Sequence, residues 1–279
     1  MKKILLIDDN TMAARNAANT AFNLAQKMKA EIITLHFSGP DIFEPEVESV
    51  YAVAAFQYKQ LGMSSKLGRM LDEAGIAVVA DSSVSIRNIY YNDYKTDDLA
   101  RLIIKEDIWM IIQGMLDEGQ PLADRNANLR SVLHRVKCPM LLVPEHYGFK
   151  GFEKIAYATD LRYCRLGIAH YLNEIARAYR AALTVSHISA KGLPHMEENY
   201  ARDVFAEGIL NNLNPYDGVY FDNIRERDMR KTVDVMINGM HTDLLVLVNH
   251  RFHFQELLGE RIPDSLPAHL QIPLLIFPC

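Results

Sequence analysis

An internal repeat constrains this chain more than any other feature of its sequence. Met1–Ser38 and Gly151–Ser189 align without a gap when the first segment is moved forward by 151 positions. The shared residues are Lys3 and Lys154, Ile4 and Ile155, Asp9 and Asp160, Ala18 and Ala169, Ala25 and Ala176, Ala30 and Ala181, His36 and His187, and Ser38 and Ser189. Each copy contains an apolar strand, an Asp, an amphipathic helix and a second apolar strand, which predicts a βαβ unit with parallel strands.

The later parts of the two copies also match. Asp107–Gln113 aligns with Asp243–Asn249, and Cys138–Pro144 aligns with Ile272–Pro278. The polar, glycine-containing run Glu145–Gly151 separates the copies and suits a domain boundary. The sequence therefore predicts an α/β protein of two tandem, doubly wound, five-stranded parallel-sheet domains, over residues 1–146 and 152–279.

The third and fourth strands of each copy are predicted from their apolar runs. In the first copy they are Ile76–Asp81, with Val84–Ile86 as an extension of the same edge, and Asp107–Gln113, followed by a polar loop over Gly114–Asn126. In the second copy they are Gly218–Ile224 and Thr242–Asn249, and a polar loop again follows the fourth strand.

Charge and cysteine content exclude several classes of protein. The formal net charge is −5 and there is no long basic run, so nucleic acid is not expected as a partner. No apolar stretch is long enough to span a bilayer, so no membrane contact is expected. The three cysteines, Cys138, Cys164 and Cys279, do not suggest a disulfide framework, which favours a reducing cytoplasm.

The motifs and their order resemble the universal stress protein family in its tandem, two-domain form. The resemblance rests on KKILLIDD and EKIAYATD, on TLHFS and VSHIS, on DLLVLV, and on the closing CPMLLV and IPLLI strands. It implies the fold of the adenine nucleotide alpha hydrolases. It also implies a pseudo-dimer in which Met140–Val143 and Leu274–Phe277 pair antiparallel, and this self-association would remove an exposed sheet edge. A homodimer of chains and unknown protein partners are further expectations.

The same resemblance implies where a nucleotide would bind. Family members that bind ATP resemble one another in a Gly-x2-Gly-x9-Gly segment, followed by Ser or Thr, after the fourth strand, where backbone N–H groups approach phosphates. Carried onto this chain, the implied cofactor-binding residues are Asp9, Phe37, Gly114 and Gly119 in the first copy, and Asp160, Ile188 and Gly259 in the second.

Both copies depart from that glycine pattern. In the first copy four residues separate Gly114 from Gly119, and three carboxylates lie nearby, at Asp117, Glu118 and Asp124. In the second copy Asn249 and Phe252 stand at the first two glycine positions, and Glu260 follows Gly259 in place of Ser or Thr. A carboxylate near a phosphate is repulsive, so we expect neither copy to bind ATP in the usual way.

Structural roles compete with functional ones for most of these residues. Asp9 and Asp160 can act as helix caps, and His36 and His187 can be buried, hydrogen-bonded core residues. His250 and His253 have the spacing of two metal ligands on one loop, and His241, His269 and Cys279 lie elsewhere in the second copy. The sequence does not show that these residues converge, so we expect no metal site. Arg251 with His250 can instead form a small anion site. Among the cysteines, Cys164 is the better candidate for a reactive thiol. The competing interpretation is that its thiol is buried and inert.

Three functions remain open from the sequence. The first is a non-catalytic stress-response binding or signalling protein without usual ATP binding, which acts through partners and needs no cofactor. The alternative is a sensor of ATP or AMP that binds mainly through the loop over 114–126. The third is a weak ATPase, although no catalytic motif predicts an enzyme.

Overall fold

The computed structural model describes residues 1–9, 11–37, 76–78, 84–91, 96–115, 132–249, 251–259 and 270–279. The chain divides into two compact units. The body of the first is Met1–Phe149, and the second comprises Lys150–Pro263 and Ile272–Cys279. The domain ranges 1–146 and 152–279 stay a prediction from the sequence.

The first unit contains a mostly parallel sheet. Its strands are β1 (Lys3–Asp8), β2 (Glu31–Phe37), β3 (Ile76–Val78), β4 (Ser85–Tyr91), β5 (Met110–Met115) and β6 (Met140–Pro144). They lie in the order β3-β4-β2-β1-β5-β6. All neighbours are parallel except β3, which pairs antiparallel with β4. Strands β1, β5 and β6 are buried almost throughout, as expected for central parallel strands covered on both faces.

Two described helices accompany this sheet, α1 (Met12–Met28) and α2 (Thr96–Glu106). The Thr11 hydroxyl accepts the Ala14 N–H at 3.1 Å and so caps α1. The buried face of α1 is rich in alanine, which allows the helix to lie close to β1 and β5. Lys29, at φ 53°, ends the helix in the left-handed conformation.

The third strand of the first unit lies later in the chain than the sequence predicts. Ser85–Tyr91, not Ile76–Asp81, pairs parallel with β2 from Ile32↔Ile86 to Phe37↔Tyr91. Ile76–Val78 adds a sixth, antiparallel strand outside it. The apolar run at 76–81 resembles a buried strand. The partly polar SIRNIYY is typical of a strand near a sheet edge, which is less apolar than a central one.

The second unit has the five strands that the repeat predicts. They are β7 (Lys154–Thr159), β8 (Ala182–Ile188), β9 (Val219–Ile224), β10 (Leu244–Val248) and β11 (Leu274–Phe277). The order from one side is β9-β8-β7-β10-β11, and every pair is parallel. This order reverses direction at β7, so the carboxyl ends of β7 and β10 border a crevice of the kind where ligands bind in such sheets.

The helices of the second unit are α3 (Leu166–Tyr179), α4 (Glu198–Gly208), α5 (Met229–Asp234) and α6 (Phe252–Leu258). A 3₁₀ turn, Leu161–Tyr163, follows β7, and a π-helical turn, Val235–Gly239, extends α5. The sequence predicts a helix over Arg165–Tyr179, one residue longer than α3, but it predicts a loop where α6 forms. Among the described helices of the chain, none is long and apolar enough to cross a membrane.

Candidate functional site

The carboxyl end of β7 in the second unit holds Asp160, which is 3% exposed. Its Oδ2 accepts the Ala190 N–H at 2.9 Å and the Arg162 guanidinium at 2.8 Å. Its Oδ1 accepts the Arg162 backbone N–H at 3.1 Å, which caps the 3₁₀ turn. The expected capping role is thus confirmed for Asp160. The carboxylate accepts three hydrogen bonds, and these connect the loop after β7 to the loop after β8.

His187 lies beside Asp160 at the end of β8 and is fully buried. Its Nδ1 accepts the Leu161 N–H at 3.2 Å and lies 4.0 Å from the Asp160 carboxylate. Since Nδ1 accepts, the proton is on Nε2, which lies 3.4 Å from the Ser189 hydroxyl. Burial lowers the pKa of His187 more than the Asp160 carboxylate raises it, so the ring is neutral near pH 7. The prediction of a buried, hydrogen-bonded histidine is confirmed.

Helix α6 carries aromatic side chains into the crevice between β7 and β10. His253 is 4% exposed and Phe254 is fully buried. Among the described residues, a cavity of about 20 Å³ lies here, with Thr159, Asp160 and Arg251 in its wall. That volume accommodates about one water molecule. The crevice at the end of β7 is therefore filled by side chains of the segment that family resemblance places at the phosphates.

His253 is the least satisfied polar group at this place. Neither ring nitrogen makes a hydrogen bond of ordinary geometry. Burial lowers the pKa of His253 to about 4, although the Ile188 backbone and the Asp160 carboxylate favour the protonated ring. The ring is neutral at pH 7 and behaves as a buried aromatic group.

Arg251, just before α6, lies at the mouth of this small cavity. Its guanidinium carbon is 5.7 Å from the centre of the Tyr163 ring, within reach of a cation–π contact. The Tyr163 ring also packs on Phe252, with ring centres 5.4 Å apart. The anion site suggested by sequence paired Arg251 with His250, which lies outside the described residues, so that site stays a prediction.

Two further predicted site residues of the second unit have structural explanations. Ile188 ends β8 and is 1% exposed, as a core residue. Gly259 has φ +83°, and its N–H donates to the Gln255 carbonyl at 2.9 Å. Gly259 therefore terminates α6 in a conformation that favours glycine.

The first unit places a related set of polar residues at the end of β1. Asp8, buried, lies 3.5 Å from Nδ1 of His36, whose Nε2 is 3.4 Å from the Asn88 side chain. Asp9 is less buried and accepts the Thr11 hydroxyl at 2.6 Å. The histidines of both repeats thus face a carboxylate, but from Asp8 in one copy and from the equivalent of Asp9 in the other. The helix cap of α1 is Thr11, which corrects the role expected for Asp9.

Gly114 lies within strand β5, not in the loop that the sequence predicts. A β carbon at this position would lie 2.2 Å from the carbonyl carbon of Ala13 and 2.6 Å from the Ala14 nitrogen. Only glycine therefore allows β5 to approach the start of α1 this closely. Its proposed contact with a phosphate is a separate hypothesis, because the packing alone explains the residue.

The structure describes the remaining candidate site residues only in part. Phe37 is the last residue of β2, and only its backbone is described. Gly119 lies outside the described residues, as does most of the loop predicted over 114–126. Over the described ranges there is no group of three or more His, Cys, Asp or Glu residues arranged to hold a metal ion. His269, one of the possible ligands, is also outside those ranges.

The cysteines are free thiols. Burial raises the pKa of Cys164 to about 11 and that of Cys138 to about 12. Both are protonated at neutral pH and are poor nucleophiles. The structure therefore favours the inert thiol over the reactive one at Cys164.

The sequence indicates His253 only as a possible metal ligand and gives Phe254 no role, whereas the structure buries both at the crevice. The signal was available, because F-H-F-Q-E-L-L places apolar residues at helical spacing. Arg162 and Asn88, which hold Asp160 and His36, gave no comparable signal. Their importance depends on which loops and strands become neighbours.

A doubly wound α/β unit with an acidic residue at the end of its first strand, present twice in the chain, defines the class of nucleotide-binding-like α/β sandwiches. The model of the universal stress protein family matches residues 1–144. The chain belongs to the universal stress protein family. A search of curated proteins gave no significant match.

Solved structures agree on the fold. A universal stress protein from Archaeoglobus fulgidus is 12% identical with a TM-score of 0.58, and the match covers 99% of this chain and 97% of that one. The cytoplasmic domain of a prokaryotic cation chloride cotransporter is 9% identical with a TM-score of 0.52, covering 99% and 94%.

Proposed function

We propose that this chain is a cytoplasmic stress-response binding and signalling protein whose second unit does not use the family's ATP site. The observation that carries the proposal is the position of α6. Its His253 and Phe254 side chains occupy the crevice at the ends of β7 and β10, and about 20 Å³ remains. A nucleotide needs a pocket of several hundred Å³. ATP could enter only if α6 left its place and exposed two buried aromatic side chains.

The electrostatics of the second unit support the same proposal. A nucleotide site needs donors aimed at phosphates, and here the wall of the cavity contains the buried Asp160 carboxylate. That carboxylate already accepts Arg162 and the Ala190 N–H. Freeing it to bind a ribose or base would break three hydrogen bonds in a buried place, which is costly. We therefore assign the second unit a non-catalytic role that depends on protein contacts, with no cofactor.

The first unit supports a second candidate, the nucleotide sensor. The family model matches residues 1–144, which is the first unit. Gly114 brings β5 against the start of α1, at the edge of the sheet where ligands bind in this fold. On this alternative the segment after Gly114 would bind ATP or AMP in an altered way.

A photoaffinity experiment separates these functions. The full chain is irradiated with 8-azido-ATP and Mg²⁺, digested, and labelled peptides are assigned to residues 1–149 or 150–279 by mass spectrometry. Excess ATP serves as the competition control. We expect no competable label in 150–279. Competable label there overturns the proposal for the second unit, and label confined to 1–149 favours the sensor.

A calorimetric titration and a phosphate-release assay complete the test. Micromolar binding of ATP to the full chain would reject a protein that has lost nucleotide binding altogether. The absence of heat with ATP, ADP and AMP would exclude the sensor. A weak ATPase requires phosphate release above background that Asp9→Ala abolishes.

A further inference from the structure

Strand β9 forms one edge of the strands of the second unit. The equivalent strand of the first unit shows which kind of strand pairs with such an edge. In the first unit the equivalent strand is β4, because His36 pairs with Tyr90 as His187 pairs with Asn223. The outer edge of β4 is covered by the antiparallel strand β3. Within the described parts of the chain, nothing pairs with the outer edge of β9.

The backbone N–H and C=O groups of β9 point alternately toward β8 and away from it, and the residue number decides which; we call this alternation the parity of the strand. The Leu183 N–H donates to the Gly218 carbonyl at 2.8 Å, so even-numbered residues direct their backbone groups toward β8. The odd-numbered residues Val219, Phe221 and Asn223 therefore direct theirs outward. In the first unit the equivalent of Val219 is Ile86, which is the residue opposite Ala77 in the β3–β4 pair. The outward backbone groups of β4 and β9 thus lie at equivalent positions, and those of β4 pair with β3.

The side chains of β9 suit pairing with another strand. Val, Tyr, Phe and Ile favour β structure. Phe221 stacks on Phe205 of α4 with ring centres 5.0 Å apart, which holds the strand against the unit. On the opposite face Tyr220 is 53% exposed, and no proline or lysine blocks the edge.

We propose that β9 is a self-association surface, on which β9 of a second copy of this chain pairs antiparallel about a two-fold axis at Phe221. Parity and charge select this register. Outward residues must face outward residues, so the two registers with the longest overlap centre on Phe221 or on Asp222. The second places Asp222 opposite its own copy, and like charges directly opposite are destabilising. The first places Asp222 opposite Tyr220 of the second copy.

The register gives the interface its chemistry. Val219 faces Asn223 of the second copy and Phe221 faces its equivalent, which allows about six backbone hydrogen bonds. Asp222, half-buried and next to the Glu198 carboxylate, has its pKa raised by burial first and by Glu198 second. Opposite Tyr220 it meets no further negative charge.

Two substitutions at one exposed position test both the surface and its register. Tyr220→Asp places a carboxylate opposite Asp222 of the second copy, and Tyr220→Lys places an ammonium there. Sedimentation velocity of the full chain measures the dissociation constant for each. We expect Tyr220→Asp to weaken self-association by roughly ten-fold or more, since each dimer contains two such pairs. Tyr220→Lys should hold or strengthen it.

Tyr200→Asp is the matched control, because Tyr200 is 60% exposed on α4 and outside the strand. It should leave the dissociation constant unchanged. Residue-resolved hydrogen exchange gives a second readout, since the Phe221 and Asn223 amides should become protected as concentration rises. A wild-type chain that is monomeric at all concentrations overturns the proposal. So does equal association of Tyr220→Asp and Tyr220→Lys, or equal weakening by both.

Discussion

At the scale of single residues, Gly114 is a position where an added side chain should strongly affect stability. A β carbon would lie 2.2 Å from the Ala13 carbonyl carbon, against backbone that cannot move without shifting α1. Gly114→Ala should therefore destabilise the first unit by about 1–3 kcal/mol or more. Urea unfolding followed by fluorescence measures the change.

The control for this change is Gly167→Ala. Gly167 lies in α3, where a β carbon would meet nothing within 4 Å. Since alanine favours helix over glycine, Gly167→Ala should be neutral or should stabilise by up to about 1 kcal/mol. If Gly114→Ala behaved the same way, the close approach of β5 to α1 would be wrong.

His253 predicts a pH dependence of stability. Its pKa in the folded protein, about 4, is below the 6.5 of an ordinary histidine, so the unfolded chain binds the proton more readily between these values. Stability is therefore full above about pH 6.5 and falls as pH falls toward 4, by about 2 kcal/mol at pH 5. His187, lowered in the same direction, adds to the loss, while the Asp160 carboxylate opposes it.

The measurement compares urea unfolding at pH 7 and pH 5 for the wild type and His253→Leu. Leucine is apolar and cannot take up a proton, so the variant should lose less stability between the two pH values. His241→Leu, at an exposed histidine, is the control. An unchanged pH dependence in His253→Leu would mean that this ring is not the group that titrates.

At the scale of elements, the Glu106 carboxylate connects α2 to two strands, β4 and β1. Glu106 Oε2 lies 2.6 Å from the Arg87 guanidinium in β4 and 2.9 Å from the Lys3 ammonium in β1. Arg87 also reaches Glu31 at the start of β2, at 3.4 Å. The hydrogen bond from Arg87, and then that from Lys3, lowers the pKa of Glu106 to about 2.

Glu106→Gln should therefore destabilise the first unit at pH 7, by about 1 kcal/mol because the cluster is partly exposed and screened. A depressed carboxyl pKa contributes stability that is present above about pH 4.5 and is lost as pH falls toward 2. The difference between wild type and variant should shrink over that range, and also in 1 M NaCl. Glu207→Gln, at an exposed position of α4, should show neither effect.

How much of each element the sequence predicts depends on its environment. Buried parallel strands such as β7 and β8 form continuous apolar runs, and their predicted ends agree with the structure to within one residue. Edge strands lack that signal, so the sequence predicts Ile76–Asp81 as the strand that Ser85–Tyr91 forms. Helix α6 was missed because the comparison with glycine loops set the expectation of a loop.

The candidate site follows the same rule. The carboxylate and histidine at the ends of β7 and β8 were found because the repeat places Asp160 and His187 there. Their partners were not, since the contact of Arg162 with Asp160 and the insertion of His253 depend on loop geometry that local sequence does not encode. A repeat fixes the position of a residue more reliably than it fixes its role.

At the scale of the whole molecule, the two units have their own buried helices and sheets, and this predicts separate unfolding. Trp109 is the single tryptophan and lies in the first unit, with the Lys2 ammonium 4.7 Å from its ring centre. Its fluorescence therefore reports on the first unit, while far-ultraviolet circular dichroism reports on both.

Two buried leucines provide a matched pair for this prediction. Leu24 in α1 and Leu172 in α3 are both fully buried, one in each unit. Either change to alanine should cost about 2–5 kcal/mol, from lost burial and the cavity left behind. Leu24→Ala should lower the urea midpoint of Trp109 fluorescence. Leu172→Ala should leave the midpoint of Trp109 fluorescence unchanged. It should shift only the part of the circular dichroism change that comes from the second unit. If both variants moved the two signals together, the chain would unfold as one cooperative body and the two-domain division would not describe its folding.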